Sequence, residues 1–546
     1  MARGSVYRSV GSLRPQRSVF NNSHSVLYDC DMGKLIPVCF MECVPGDIHS
    51  ISMEAVIRFQ PLVAPVLHDI YFRTFYFLIP TRLIMNEETK IKYGDNGTWE
   101  DFITGGQDGN DSTVLPTIAL GIGNLTANKV CSLYDYFGLP MGLSQFTEGM
   151  RPLSFYNRCY NLVYNEYFRD QNLEDEVPLD GSDPKVHEIK NVMWRHDRFT
   201  SAMYDTQRGD RPAIPLQGLA GISFNGFTGN NPEGYLLGLH NANPGDISSI
   251  TVGGFGVTGN RVKMDGSVPP NFSFGDYNPA AALRSWLNNN SLNMSQAVTF
   301  DTVDMRRLFQ LQKYLERNMR VGARYAEQIP ARFGVQPQDH RLQRPEYIGG
   351  SRTPIIISEV LQTSESSNSS KQGNLAGHGI SADRTRIGKV RCYEHGYLLG
   401  LAVVQPDSVY MQTMHRDFLR RTRYDFLTPE LVNLSEVALL NGEVCYTGTS
   451  RDKDPFGFVG IYDEYRSREN KVVGNMRGDL DYWHLARKDY NTTNPPSLNY
   501  NFVSCNPDKR IFAVQQSKGV IVHYGNIIRS VRPLPIIAEP GLIDHH

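Results

Sequence analysis

The chain has 546 residues, a net charge of −2 and 40% hydrophobic residues, which is typical of a water-soluble protein with a large core. No apolar run approaches the roughly 18 residues that a membrane-spanning helix needs, and the first residues lack the apolar stretch of a secretory signal. These features exclude a transmembrane helix, and we expect synthesis and folding in a cytoplasm.

The eight cysteines give no sign of a metal site or a disulfide framework. They are dispersed along the chain, and only Cys39 and Cys43 lie close together in sequence. No further Cys or His accompanies this pair at the spacing of a zinc site. We therefore expect reduced, mostly buried thiols and no cofactor.

Residues 1–28 predict an extended basic arm. This segment contains Arg3, Arg8, Arg14 and Arg17 and no acidic residue. Guanidinium groups on a flexible arm suit the neutralisation of nucleic-acid phosphates without reading the base sequence. The alternative is a strap over a neighbouring subunit, in which the arginines meet carboxylates. The sequence does not favour one over the other.

Strand patterns follow the arm and return near the end of the chain. Apolar residues alternate with polar ones from Ile51 to Phe59, which predicts a strand buried on one face. Tyr71 to Ile79 is almost entirely aromatic and aliphatic, which predicts a strand buried on both faces. Further strands are predicted at Glu394–Val404, Ile511–Val514 and Val520–Tyr524.

The block from Phe155 to Leu173 combines six aromatic residues with four Asn, two Arg and two carboxylates, and it lacks Gly and Pro. Its spacing predicts an amphipathic helix that buries Cys159, Leu162, Val163 and Tyr167. This mixture is also typical of a surface that meets another copy of the protein. The candidate contact residues are Tyr156, Arg158, Tyr164, Arg169 and Asp170; a role in defining the fold is the alternative.

Residues 216–296 predict a loop-rich insertion. Thirteen Gly and twelve Asn among these 81 residues provide many turn positions, and only seven residues are charged. The string from Gly254 to Gly259 matches GxGxxG, but neither a buried strand before it nor a helix after it is predicted. A loop is therefore favoured over a dinucleotide site.

The clearest helix is predicted at 301–321, with Asp301 or Thr302 as its cap and Gly322 at its end. Leu308, Leu311, Leu315 and Met319 form its apolar stripe. Lys313, Arg317 and Arg320 lie on the opposite side and are candidate nucleic-acid contacts. A solvated or salt-bridged helix face is the favoured alternative for these three cations.

The pattern as a whole predicts a mainly β fold, an eight-stranded jelly-roll β-sandwich or barrel with long helical and loop insertions. Residues 29–215 and 297–546 would form this domain. Catalysis is not expected, because the sequence has no P-loop, metal-ligand cluster or nucleophile motif. Asp452 and Asp454 offer oxygen ligands for a cation such as calcium, but the Gly and Glu of an EF-hand loop are missing, which favours a turn.

Motifs across the whole chain resemble those of one viral family. The block from Phe155 to Leu173 carries the likeness most strongly. It is joined by Val44-Pro-Gly-Asp47, Tyr71–Pro80, Arg341–Ser351, Gly373–Gly377, Trp483–Ala486 and Pro540–His545. Together these strings resemble the major capsid proteins of microviruses, small single-stranded DNA bacteriophages. The closest likeness is to the gokushovirus-like subgroup (Gokushovirinae of the Microviridae), which lacks a separate spike protein.

The resemblance implies a viral jelly roll, with sixty copies in a T=1 icosahedral shell around circular single-stranded DNA. It also implies an internal scaffolding protein, a DNA-pilot or minor capsid protein and a small basic DNA-associated protein as partners. Assembly would take place in the bacterial cytoplasm, and the insertion at 216–296 would form threefold protrusions that contact a host receptor. A jelly-roll carbohydrate-binding module is the alternative function.

Overall fold

The computed structural model describes most of the chain outside the insertion. The described residues are 15–105, 113–118, 130–141, 150–212, 263–264, 272–273, 302–361, 375–434, 436–488, 490 and 494–537. The chain divides into two compact units, residues 1–208 with 316–546, and residues 209–315. The second unit includes the predicted insertion at 216–296, nearly all of which lies outside the described residues.

Antiparallel strands dominate the first unit. In chain order the strands are β1 (Ser18–Asn21), β2 (His24–Cys30), β3 (Ile36–Cys43), β4 (Ile48–Phe59), β5 (Ile70–Pro80), β6 (Lys263–Met264), β7 (Phe272–Ser273), β8 (Glu346–Pro354), β9 (Ile356–Leu361), β10 (Leu375–Arg391), β11 (Gly396–Pro406), β12 (Glu436–Leu440), β13 (Pro455–Gly460) and β14 (Val520–Arg532). The short pair β6–β7 belongs to the second unit, and β12 pairs with β13 in a small separate ladder.

Eight of these strands have the connectivity of a jelly roll. One sheet has the order β2-β14-β4-β10, extended by β1 beside β14 and by β9 beside β10. The other sheet has the order β3-β11-β5-β8. Successive strands of these eight therefore alternate between the two sheets, except that β5 and β8 lie in the same sheet, which is the double Greek key of viral capsid domains. The predicted jelly-roll sandwich is confirmed, and the described strands form two separate sheets rather than a closed barrel.

The main core lies between the two sheets. The six-stranded sheet contributes inward residues such as Ile51 and Met53, and the four-stranded sheet contributes residues such as Phe72. A polar cluster also crosses this core: the Tyr76 hydroxyl donates to Asn526 Oδ1 at 2.6 Å and lies 2.9 Å from the Tyr524 hydroxyl. All three side chains are buried, so these hydrogen bonds fix how the two sheets face each other.

The described chain also contains nine α-helices, one of which packs on the outer face of the four-stranded sheet. The α-helices are α1 (Thr81–Ile84), α2 (Glu87–Tyr93), α3 (Trp99–Thr104), α4 (Leu133–Tyr136), α5 (Phe155–Val163), α6 (Thr302–Val321), α7 (Tyr325–Phe333), α8 (Asn441–Val444) and α9 (Tyr500–Val503). A π-helical turn, Tyr164–Phe168, continues α5. The second core cluster joins Phe77 and Leu401 of this sheet to Tyr160 and Val163 of α5.

Short 3₁₀ turns punctuate the connections; they lie at Pro184–His187, Asp339–Leu342, Arg416–Phe418, Arg423–Asp425, Pro429–Leu431, Ser450–Lys453, Asp463–Tyr465, Gly474–Arg477 and Asp481–Trp483. Among the described helices, none combines the length and the apolar character that crossing a bilayer requires.

Two local predictions need correction. Ile511–Val514 is not a strand: Ile511 and Phe512 pack into the main core from an irregular segment. The apolar stripe of α6 is not buried along its length, because Met319 is covered while Leu311 remains 47% exposed. The helix ends at Val321, and Gly322 has a φ of +101° that glycine adopts without strain.

Candidate functional site

The helix of the aromatic block is buried on nearly every side, not on one stripe. Eight of the nine residues of α5 are buried, including the two asparagines Asn157 and Asn161. Asn157, Asn161 and Asn165 recur every four residues, and their side chains bind the segment 177–187. Asn161 Nδ2 donates to the Val186 carbonyl at 3.0 Å, and Asn165 Nδ2 donates to the Val177 carbonyl at 2.7 Å. These hydrogen bonds give the two amide nitrogens partners without solvent, and Asn165 Oδ1 also accepts from the Val177 N–H at 3.1 Å.

Arg158 is held inside this layer by two carboxylates. Its guanidinium donates to Asp95 Oδ1 at 2.7 Å and to Asp180 Oδ2 at 2.8 Å, and also to the Ile84 carbonyl at 2.9 Å. Its side chain is 1% exposed and that of Asp95 is 4% exposed. A buried arginine needs such pairing to offset its lost hydration. The network ties α5 to the segments around α1 and α2.

The contact prediction is therefore corrected for Tyr156, Arg158 and Tyr164. This chain's own residues bury all three side chains, so a neighbouring copy has no access to them. Burial favours the alternative role in defining the fold. Arg169 and Asp170 are half-buried: Arg169 donates to the Glu174 carbonyl at 2.7 Å, and Asp170 accepts from the backbone of Asn172 at 2.8 Å. Their role as subunit contacts stays a prediction.

The predicted cationic contacts are only partly brought together. Lys313, Arg317 and Arg320 are exposed on α6, and Arg320 forms an ion pair with Glu436. Arg17 is exposed immediately before β1, whereas Arg3, Arg8 and Arg14 lie outside the described residues. Because β1 pairs with β14, the arm leaves from an edge of the six-stranded sheet.

The outer face of the six-stranded sheet is a basic surface that the sequence analysis missed. We define this basic sheet face by six exposed cations on three neighbouring strands: Arg58 on β4, Arg384, Arg386, Lys389 and Arg391 on β10, and Arg529 on β14. Glu54 is the one acidic residue that shares this face of the three strands. The cations thus produce a one-sided positive field over strand positions at which their side chains are exposed.

A β-bulge is what places four of these cations together. The pairing of β10 with β4 shifts register between Arg386 and Gly388, so that one residue of β10 is skipped. Side chains alternate along a strand, and without the bulge Lys389 and Arg391 would point into the core. The missed signal is the repeated spacing of Arg384-x-Arg386 and Lys389-x-Arg391, a strand period on each side of the bulge.

The comparisons with known proteins decide the family. A family profile described as capsid protein (F protein) matches residues 9–542. The chain belongs to this family of phage capsid proteins. It is similar to capsid protein VP1 of Bdellovibrio phage phiMH2K, with 32% identity over 92% of this chain and 90% of the relative. Identity to capsid protein VP1 of Chlamydia phage 1 is 30%, covering 96% of each chain.

A third relative, capsid protein VP1 of Spiroplasma virus 4, is 26% identical over 96% of this chain and 95% of its own length. The predicted resemblance to gokushovirus-type microvirus capsid proteins is confirmed. This chain is a major capsid protein of a microvirus-like phage, a structural part of the virion that assembles with copies of itself.

In this capsid protein, Asp452 stabilises a turn. Its carboxylate accepts from the Thr447 hydroxyl at 2.7 Å and from the backbone N–H groups of Thr447 and Gly448 at 3.0 and 2.7 Å. These donors occupy the oxygens that a cation would need, which favours the turn over an ion site at this aspartate.

A cluster of Cys43, His49 and Cys392 lies at one end of the sandwich. The ligand atoms of these three buried side chains lie within 4.8 Å of one another. The proximity of the two thiols lowers the pKa of Cys392 and raises the pKa of Cys43. The sequence analysis missed this cluster, because Cys392 is far from the other two residues in the chain.

Proposed function

We propose that sixty copies of this capsid protein form a T=1 icosahedral shell around a circular single-stranded DNA genome. The observation that carries the proposal is the similarity to phage capsid proteins over almost the whole chain. The jelly-roll connectivity is consistent with it, because this fold presents loops at the ends of the sandwich and a broad sheet on its face.

Shell closure requires heterologous contacts whose rotations close into rings. Arg169 and Asp170 are proposed to take part in them. Apolar side chains on α6 add surface of the kind that such contacts cover: Phe309 is 67% exposed and Leu311 is 47% exposed.

The basic sheet face and the N-terminal arm are proposed to meet the packaged DNA. The face offers guanidinium and ammonium groups without the base-reading pockets of a sequence-specific protein, which suits a genome that must be bound along its length. The arm, with Arg3, Arg8, Arg14 and Arg17, starts at the edge of the same sheet. Lys313 and Arg317 are a second proposed contact area, and Arg320 contributes less because Glu436 neutralises it.

Further partners are proposed from the family alone. They are an internal scaffolding protein, a DNA-pilot or minor capsid protein and a small basic DNA-associated protein, with assembly in the bacterial cytoplasm. Residues 216–296 are proposed to form threefold protrusions that contact the host receptor.

Assembly is tested by expressing the full chain in bacteria with its scaffolding protein and weighing the products by mass photometry. Sixty chains of 61.6 kDa each would give a shell of about 3.7 MDa. Cryo-electron microscopy of the same sample should then show icosahedral symmetry. A sample that stays at 61.6 kDa at high protein concentration with scaffold present would contradict the proposal.

The receptor role is tested separately, on particles. Residues 216–296 are exchanged for the corresponding segment of a relative with another host, and adsorption to both hosts is counted. Adsorption should follow the source of the segment. Particles that form normally and keep their original host would contradict this role while leaving the shell proposal intact.

A further inference from the structure

The connections between the two sheets meet at one corner of the sandwich. The turn from β3 to β4 and the turn from β10 to β11 each carry the chain from one sheet to the other. Their backbones are joined: Gly46 donates to the Cys392 carbonyl at 2.8 Å, and Cys392 donates to the Asp47 carbonyl at 2.9 Å. Cys43 ends β3, His49 lies near the start of β4, and Cys392 directly follows β10. Three potential metal ligands thus lie together where backbone hydrogen bonds join the two turns.

Three buried polar atoms at this corner lack a hydrogen bond within the described structure; they are His49 Nε2, Asp47 Oδ1 and Arg532 Nε. The side chains of His49 and Asp47 are completely buried. Native proteins seldom leave buried polar atoms unsatisfied, and an ion is one of the usual reasons. The other nitrogen of the ring, Nδ1, lies 2.8 Å from the Ser530 hydroxyl. If Nδ1 carries the proton and donates to Ser530, Nε2 presents a lone pair towards the thiols.

We propose that Cys43, His49 and Cys392 bind a structural Zn²⁺ ion, with the neighbouring Asp47 carboxylate moving in as the fourth ligand. Two thiolates, one imidazole and one carboxylate are a donor set that zinc takes in tetrahedral geometry. Asp47 Oδ2 lies 3.4 Å from His49 Nε2. It does not belong to the set of ligand atoms that lie within 4.8 Å of one another, so the carboxylate must turn towards the thiols to complete a tetrahedron.

The distances among the three main ligands fit after a small contraction. In a tetrahedral site with zinc–sulfur bonds of about 2.3 Å, ligand atoms lie roughly 3.4–3.8 Å apart. Here the three atoms lie within 4.8 Å of one another, so closing on the ion requires movements of about 1 Å or less. Arg532 lies 3.5 Å from Asp47 Oδ2 and Ser530 supports the ring, so the outer groups that orient metal ligands are also in place.

The ion would cross-link the two sheets at this corner. It would link β3 to the segment after β10, which are distant in sequence, and so restrict the unfolded chain as well as join the two sheets. The role is structural, because the side chains of Cys43, His49 and Cys392 are completely buried and leave a substrate no access.

The first test measures zinc in the full-length chain, purified under reducing conditions without chelators from cells grown with zinc. We expect about one ion per chain for the wild type and at least a tenfold loss for Cys392→Ala. Cys505→Ala is the matched control, since Cys505 is also fully buried but lies in the other core cluster; it should retain the ion. Ser530→Ala should bind zinc about 10–100-fold more weakly, because it removes the support of the ring.

The second test needs no variant and so does not depend on whether a variant folds. Cobalt is exchanged into the wild-type protein and its absorption spectrum recorded. Tetrahedral d–d bands together with thiolate-to-cobalt charge transfer are expected. Three results would overturn the proposal: only trace metal in the wild type, cobalt bound without thiolate charge transfer, or a Cys43–Cys392 disulfide found by peptide mapping in place of the ion.

Discussion

The outer faces of the two sheets differ in what covers them. The outer face of the four-stranded sheet is packed under α5 and the π turn, and its central strands β5 and β11 are largely apolar on both sides. On β4, β10 and β14, the outer face of the six-stranded sheet carries six exposed cations and one acidic residue, and β4 alternates between buried and outward positions. One sheet is therefore built as the interior of the domain and the other as its open surface.

This difference separates residues that specify the fold from residues that remain available for a partner. Arginine shows it clearly: Arg158 is buried among Asp95 and Asp180 on the covered side, whereas Arg384 and Arg386 are exposed on the basic sheet face. The same residue type thus has a structural role on one side and a proposed binding role on the other. Substitutions on the two sides should have opposite consequences for stability and for DNA binding.

The largest expected effect is that of Arg158→Met. The change removes the cation and leaves two carboxylates facing each other in a buried layer, which should cost about 3–5 kcal/mol of unfolding free energy. Urea unfolding of the monomeric chain measures it. Arg384→Met on the basic sheet face is the matched control and should stay within about 0.5 kcal/mol of wild type. Equal losses in the two variants would contradict the division between covered and open faces.

Next in size is Tyr76→Phe, between the two sheets. Loss of the hydroxyl leaves Asn526 Oδ1 without its 2.6 Å hydrogen bond in a buried site, at a cost of about 1–3 kcal/mol. The same unfolding experiment applies, and Tyr393→Phe, on an exposed tyrosine, is the control. If the two variants have the same free energy of unfolding, the hydrogen bonds of Tyr76 do not determine how the two sheets pack against each other.

The strands were predictable because their periodicity is set by burial. Ile51–Phe59 alternates and lies in a sheet with one open face, and Tyr71–Ile79 is continuously apolar and lies in the sheet covered on both faces. The shift of register at Ile387 was not predictable from that period, since a bulge reverses the inward and outward positions along the rest of the strand. The basic sheet face depends on this reversal and was missed for that reason.

The aromatic block was predictable as a helix but not in its environment. Its asparagines were interpreted as part of a surface that meets another copy of the protein. They are buried instead, because backbone carbonyls of residues 177–186 accept their amide hydrogens. Only a three-dimensional arrangement supplies those partners, although the recurrence of Asn157, Asn161 and Asn165 every four residues was a visible sign of one shared face. The Cys43–His49–Cys392 cluster likewise requires the pairing of strands from both ends of the chain.

A smaller, pH-dependent effect is expected beneath α5. Burial lowers the pKa of His187 below its ordinary value of 6.5, and Asn157 Nδ2 lies 3.2 Å from its Nδ1. The unfolded chain therefore binds a proton first as the pH falls, so the stabilisation is present above about pH 6.5 and is lost as the pH drops through the lowered pKa. His187→Gln should lose less stability than wild type between pH 7.5 and 5.5. If the loss of stability between pH 7.5 and 5.5 were the same in His187→Gln as in wild type, this role would be contradicted. Part of the pH-dependent loss should remain in the variant, because burial also lowers the pKa of His68.

The smallest effect on stability is expected on the basic sheet face, where the effect on DNA binding should be clear. Arg384→Gln with Arg386→Gln would remove two proposed phosphate contacts from exposed strand positions, so the free energy of unfolding should change by no more than about 0.5 kcal/mol. Binding of the assembly-competent chain to single-stranded DNA is titrated at several salt concentrations. Each lost contact should reduce the slope of log K against log salt by about 0.7, a reduction of about 1.4 for the pair.

The matched control is Arg421→Gln with Arg423→Gln, which removes two exposed arginines at the same spacing away from the sheet. This control should keep the wild-type slope if the sheet face itself meets the DNA. Equal reductions in both variants would indicate that total charge, rather than this face, determines binding. A wild-type slope in the Arg384 and Arg386 variant would leave the open sheet without a DNA contact at these positions, and the comparison of the two faces would then rest on stability alone.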